Sequence, residues 1–316
     1  MQNIEKPVLK MLKVNLGVKA NDKILVMTDN INKKITNLAK EVYSIIKKRY
    51  SASFHIYKAT TGHGAEPDKK TAKIMKKYPV LIMLNYYSLS HTKARANANK
   101  TGSRIASMPG FTREMFYKNN AMDQDYKKIN KITQKLNKIL SKAKKAIITS
   151  NNGTNLQLKL GRLAEPDGGF IKRGECDNLP SGESFVSPIT GSGILIINPR
   201  WHEKLKHKLI FQIKEGKIID IKSKDQLGKK FKKDFFAKSH RRMLAELGIG
   251  TNPGARNPSN TLEAEKIMGT IHIAFGDSSH FGGKNVSDRH QDFILNKPTL
   301  FLDKRKIIEK GKFLLK

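Results

Sequence analysis

Four short apolar runs, Ile24-Leu25-Val26-Met27-Thr28, Ala52 to Tyr57, Val80 to Leu84 and Arg104 to Ser107, are separated by segments with a helical period. Between the first two, Ile35, Leu38, Val42 and Ile45 recur at three- and four-residue steps with lysines on the opposite side. Strands that alternate with helices of this length fold as a parallel, doubly wound sheet, because each helix must carry the chain back to the same sheet end. A Lys-rich segment from about Gln124 to Lys145 places Ile129, Ile132, Leu136 and Ile139 on one stripe and reads as the helix closing this first domain.

The texture then changes. Ala146 to Ser150, Asn155 to Leu160, Ser192 to Ile197, His207 to Ile213 and Lys217 to Ile221 are strand-like and divided by Gly, Asn and Pro. One helix is expected from about Lys224 to Ala245, with Leu227, Phe231 and Phe235 inward. The 316 residues exceed what one core ordinarily serves, roughly 250–300 residues. The fold class expected is therefore α/β: an N-terminal doubly wound α/β domain over 1–147, then a strand-rich α+β catalytic domain over 148–316.

A formal charge of +34, from 61 Lys and Arg against 27 Asp and Glu, invites a nucleic-acid reading. Lys outnumbers Arg about four to one and is spread along the whole chain, with no Arg-rich stripe interleaved with aromatics. That pattern describes solvated helix faces. The expectation is no dedicated nucleic-acid site, with weak, salt-sensitive polyanion binding remaining. No apolar run approaches the roughly 18–20 residues of a membrane span, so no membrane partner is expected. The single cysteine, Cys176, excludes an intramolecular disulfide and a thiolate zinc site, and Met1 to Lys6 lack the apolar core of a signal peptide. A reducing cytoplasm is the expected location.

Chemistry-bearing side chains gather late in the sequence: Glu183, Glu246, His272 and the His290-Gln291-Asp292 run. In a strand, residues two apart share a face, so His290 and Asp292 project together. In Thr270 to Phe275, His272 takes the face opposite Ile271 and Ile273. A lone histidine there is more often a hydrogen-bonded core residue, but neighbouring strands carrying His, His and Asp suit a metal ion. Glu183 and Glu246 taken singly are ordinary surface acids; taken with the imidazoles they suit two cations sharing an acid and a water. Gly248-Ile249-Gly250 has the wrong spacing for a dinucleotide loop, and Gly282-Gly283-Lys284-Asn285 is no P-loop.

Ala245-Glu246-Leu247-Gly248-Ile249-Gly250-Thr251-Asn252-Pro253, Gly269 to Gly276, His290-Gln291-Asp292 and Lys297-Pro298-Thr299 together resemble the aminopeptidase T family of leucyl-aminopeptidase-like metallopeptidases. Asn178-Leu179-Pro180-Ser181-Gly182-Glu183-Ser184-Phe185 and Ser88-Leu89-Ser90-His91-Thr92 extend the resemblance in the same order. It implies a two-domain, homodimeric, cytoplasmic exopeptidase acting on peptides. It also implies a centre of two divalent metal ions, Zn, Co or Mg, held by Glu183, Glu246, His272, His290 and Asp292, with Glu246 the bridge. Ser279 stands where longer family members carry a tyrosine.

The leading expectation is thus metal-assisted hydrolysis of an N-terminal peptide bond, with Glu246 and Glu183 as the catalytic carboxylates, Glu183 serving as ligand or as base to a metal-activated water. A second reading keeps the fold and changes the reaction. His272, His290 and Asp292 form the two-His-one-carboxylate set of non-haem Fe(II) oxygenases, and a ring-cleaving pyridine dioxygenase is a relative of this fold. A third is a non-enzymatic polyanion-binding protein.

Overall fold

The computed structural model of the protein describes residues 2–199, 201 and 205–315. Its chain forms two compact units, Met1–Asn130 with Gly169–Ser181, and Lys131–Gly168 with Gly182–Lys316.

The first unit runs α1 (Glu5–Lys10), β1 (Ile24–Asp29), α2 (Lys33–Lys47), β2 (Ala52–Tyr57), α3 (Lys69–Met75), β3 (Val80–Met83), α4 (Lys93–Lys100) and β4 (Arg104–Ser107). The chain continues through α5 (Tyr126–Leu140), β5 (Lys145–Thr149) and β6 (Asn155–Asp167), then returns with β7 (Cys176–Asn178). All pairings in the resulting sheet, ordered β2-β1-β3-β4-β7, are parallel. Every residue of β1 and β3 is buried, as expected where helices cover both faces. Helix α2 starts at Asn32, whose side chain accepts from the backbone N–H groups of Lys34 and Ile35 at 3.0 and 3.3 Å. It buries Ile35, Leu38, Val42 and Ile45, the stripe read from the sequence.

The expected boundary at 147/148 falls inside β5. The units instead divide at 130/131, and 169–181 rejoins the first unit. Periodicity does not announce that return, because β7 is only 3 residues long.

The second unit contains β5, β6, β8 (Glu183–Ile197), β9 (Leu209–Lys214), β10 (Lys217–Lys222), α6 (Gln226–Ala237), β11 (Leu244–Gly250), α7 (Thr261–Ala264), β12 (Ile271–Gly276), β13 (His290–Leu295), β14 (Thr299–Leu302), β15 (Arg305–Glu309) and β16 (Lys312–Phe313). They form an antiparallel sheet, β13-β12-β11-β8-β6-β5-β14-β15-β16, with β9 paired to β8 and β10 to β9. On one face Leu247, Ile249, Ile271, Ile273, Phe275, Phe293 and Leu295 join the core. Helix α6 packs Phe231 and Phe235 onto it, with ring centroids 5.3 Å between Phe231 and Phe293 and 6.1 Å between Phe235 and Phe275.

The helix expected to run to Ala245 stops at Ala237, because Lys238 turns extended (φ −143°, ψ 134°). The chain re-enters the sheet as β11, which puts Glu246 on a strand. Among the described residues, no helix is long and apolar enough to cross a membrane.

Candidate metal centre

The second unit's sheet alternates core-facing and outward residues at its β8-β11-β12-β13 end, with one irregularity in β11 between Leu244 and Glu246. Leu247, Ile249, Ile273 and Phe293 face the core, so the residues between them face the other way. Register then aligns the polar set: Gly250 lies opposite Glu183, Gly248 opposite His272, Ala274 opposite both Glu246 and Asp292, and Gly276 opposite His290. One sheet face thereby collects all five residues singled out in the sequence.

Distances confirm the gathering. His272 Nε2 donates to Glu246 Oε1 at 3.0 Å and lies 3.6 Å from Glu183 Oε2. His290 Nε2 is 3.4 Å from Glu246 Oε2 and 3.3 Å from Asp292 Oδ1. Among the described residues, the trio whose ligand atoms all lie within 4.8 Å of one another is Glu246, His290 and Asp292. The triad suggested by spacing used His272 in place of Glu246; in the structure His272 sits behind Glu246, bonded to it. Glu183, Glu246 and His272 are buried, while His290 and Asp292 are half-buried.

Small residues make this geometry sterically feasible. A Cβ on Gly248 would lie 2.0 Å from both Cε1 and Nε2 of His272, so only glycine leaves room for the ring. A Cβ on Gly250 would lie 2.2 Å from the carbonyl oxygen of Ile267, so glycine there admits the Glu265–Ile267 backbone against β11. The Gly248-Ile249-Gly250 pair, a failed nucleotide loop by spacing, is thus the clearance for a histidine and for a lysine-bearing turn.

That turn brings in a lysine the sequence reading left aside. The Lys266 ammonium, whose side chain is 1% exposed, contacts Glu183 Oε1 directly and lies 3.3 Å from Glu265 Oε2. Nothing in a Lys-rich sequence marks this one lysine. Ser279 is exposed and donates to Asp277 at 3.0 Å.

The electrostatics follow from the pairing. Burial pushes the Glu246 carboxyl up, but the hydrogen bond from His272 and then the contact with His290 outweigh it and hold it well below the usual range. Burial pulls His272 down, yet Glu246 and Glu183 raise it to about 9. His290 is likewise held high against burial, chiefly by Asp292, and Asp292 is held low against burial by His290. Burial and then the Asp292 charge push Glu265 up to about 8. For Lys266, burial lowers the ammonium and the Glu183 and Glu265 charges more than restore it.

The donor set fits a metal ion. His290 Nδ1 donates to the carbonyl of Asp277 at 2.7 Å, a bond that leaves Nε2 as the ring nitrogen facing Glu246 and Asp292. Two carboxylates on that nitrogen call for positive charge between them, which the imidazolium proton supplies and which a metal ion could supply in its place. Glu183 Oε2 and His272 Nδ1 are buried without hydrogen-bond partners. Phe281 stands edge-on to the His290 ring at 5.8 Å, and Phe185 stands edge-on to Phe281 at 5.6 Å.

The class of protein these features define is a mixed α/β fold carrying an acid–imidazole cluster able to hold a metal ion. Residues 18–315 match the family model described as NicX, 2,5-dihydroxypyridine 5,6-dioxygenase, and the chain belongs to that family. A solved 2,5-dihydroxypyridine dioxygenase from Pseudomonas putida KT2440 is similar, with TM-score 0.76, 15% identity and coverage of 99% of this chain and 98% of that one. Wild-type AmpT from Thermus thermophilus is similar too, with TM-score 0.69, 14% identity and coverage of 99% of each chain. No curated protein sequence matches significantly.

These findings overturn the expectation of a metallo-aminopeptidase. The family model names a dioxygenase, and hydrolysis of peptides falls with the protease reading. The likeness to AmpT shows a shared fold. The reason for the misreading is structural: the motifs around Glu246, His272 and His290-Gln291-Asp292 build one sheet face. Motifs of that kind report the scaffold that both solved neighbours share, not the reaction run upon it.

Proposed function

We propose that this protein is a non-haem, Fe(II)-dependent oxygenase that opens a small hydroxylated nitrogen heterocycle of the dihydroxypyridine class, with both atoms of O2 entering the product. The observation that carries the reading is the convergence of Glu246, His290 and Asp292 in a member of the dioxygenase family. These three side chains would hold the ion. Carboxylate and imidazole donors suit a ferrous ion, although this set has one imidazole and two carboxylates where the two-His-one-carboxylate triad has the reverse. Bound there, ferrous iron would supply the one-electron steps that closed-shell rings and triplet O2 need in order to react.

The rest of the work falls to the chain. The Asp277 carbonyl orients His290, and the His272 N–H holds Glu246 Oε1 in place. Phe281, standing against His290 and backed by Phe185, gives a flat substrate an apolar wall and excludes water. The unpaired Glu183 Oε2 offers an acceptor for the proton that a ring hydroxyl gives up.

The test is anaerobic loading with Fe(II), followed by an oxygen-electrode assay with 2,5-dihydroxypyridine and related hydroxypyridines. The expected result is one O2 consumed per ring lost, with Asp292→Ala slower by at least about a hundredfold. Iron-loaded protein that leaves every hydroxypyridine and the dissolved O2 untouched would remove the proposal.

A further inference from the structure

We propose that Lys266 is a built-in second cation: its ammonium occupies the place beside Glu183 and Glu265 that a second metal ion would otherwise take, and so limits the centre to one ion per chain. The inference rests on the metal-centre reading above and deepens it.

The carboxylates at the site fall into two halves. Glu246, His290 and Asp292 turn their ligand atoms toward one another. Glu183 stands apart from that trio, with Oε1 against the Lys266 ammonium and Oε2 facing His272. Glu265 Oε2 lies on the same ammonium at 3.3 Å, and the Asp167 charge also acts on it. Buried carboxylates grouped this closely need a positive charge among them, because desolvated anions are otherwise costly. An ammonium and a metal ion both satisfy that need with oxygen ligands, and only one of them fits.

The lysine is held in place by its backbone. The N–H of Asn252 donates to the Lys266 carbonyl at 2.8 Å, and the N–H of Lys266 donates to the Glu263 carbonyl at 3.1 Å. Helix α7 behind it is capped by Asn260, whose side chain accepts from the N–H of Glu263 at 3.1 Å. The absence of a Cβ at Gly250 lets this turn lie against β11. Lys266 is 1% exposed, so a second ion would have to expel a tethered side chain from the interior. On this reading a cation of the protein's own fills the second of the two places that divalent ions were expected to take.

The measurement is metal content per chain after equilibrium dialysis against Mn(II) alone, on the folded full-length protein. The wild type is expected to hold one ion and Lys266→Arg, which keeps the charge, also one. Lys266→Gln is expected to hold two, and the double variant Glu183→Gln/Lys266→Gln to return to one. Two ions in the wild type, or one in Lys266→Gln, would overturn the inference while leaving the metal centre standing. No ion in the wild type would instead remove the metal-centre reading itself. Should Lys266→Gln be recovered unfolded, refolding with and without Mn(II) decides: rescue by the cation supports the inference and failure of rescue overturns it.

Discussion

The two sheets handle polarity in opposite ways. In the first unit β1 and β3 are buried along their whole length, and β1 is apolar except at its carboxyl end, where Thr28 and Asp29 sit. In the second unit β11 and β12 are equally buried, yet each alternates a core residue with a glycine, a carboxylate or an imidazole. Equal burial therefore hides a difference in purpose. The central strands of the first sheet use both faces for packing, and the second sheet uses one face for packing and the other to enclose charge. A continuous apolar run identifies a scaffold strand; a fully buried strand broken by acids and glycines identifies a site.

The sharpest way to break that contrast is to place the same chemistry in both sheets. Val26→Asp puts an unpartnered carboxylate in the middle of β1, at a cost of several kcal/mol against the roughly 5–15 kcal/mol that stabilises a domain. Circular dichroism and soluble yield should show the first unit lost. Glu246→Gln changes a buried carboxylate in β11, and here the fold should persist while Mn(II) affinity falls more than about 10–100-fold. If Val26→Asp folds normally, or Glu246→Gln collapses, the division between scaffold face and site face is wrong.

The sequence made the first sheet legible because its signal is local. Ala52–Tyr57 and Arg104–Ser107 appear as strands over the residues expected, and the Ile35 to Ile45 stripe is the buried side of α2. The second sheet was legible only in part. The strand expected from Ser192 begins nine positions earlier, at Glu183, because Ser184, Ser187, Pro188 and Gly191 interrupt its apolar pattern. Period-two alternation placed His290 beside Asp292, and the structure has them 3.3 Å apart. Lys266 was invisible: its position depends on a turn lying against β11, a tertiary fact with no periodic trace. Gly248 was visible but unexplained, since a glycine's reason for being there is the atom that approaches it.

A smaller effect sharpens the comparison through those glycines. Gly248→Ala drives a methyl into the His272 ring, and such overpacking costs about 1–3 kcal/mol. The displaced ring should also loosen Glu246 and weaken Mn(II) binding. A methyl added at Gly62 in the first unit would meet nothing within 4 Å, so Gly62→Ala should leave the melting temperature and Mn(II) affinity unchanged. Titration calorimetry and thermal melts of the two variants read both effects; equal behaviour would deny Gly248 its clearance role.

The smallest effect compares one surface ion pair from each unit. In the first, Arg113 grips Glu41 with two hydrogen bonds, 2.8 and 2.7 Å. In the second, Arg241 grips Asp288 with bonds of 2.7 and 2.6 Å, joined by Lys238 at 2.7 Å. The Arg113 hydrogen bond holds Glu41 below its ordinary value, and the Arg241 and Lys238 bonds do the same to Asp288. A carboxyl depressed in the folded state contributes stability that is complete above its unfolded value, near pH 4, and is lost as the pH falls through the folded value. Each pair should therefore steepen the acid limb of its own unit. Both carboxylates are more than one-third exposed, so solvent screening keeps the effect to a few degrees of melting temperature. Glu41→Gln should lower the melting temperature at pH 7 and flatten its fall between pH 4 and 2, and Asp288→Asn should do the same with the larger change, because its carboxylate answers two cations at bonding distance. A larger response from Glu41→Gln would place the acid-sensitive seam in the first unit and reverse the order argued here.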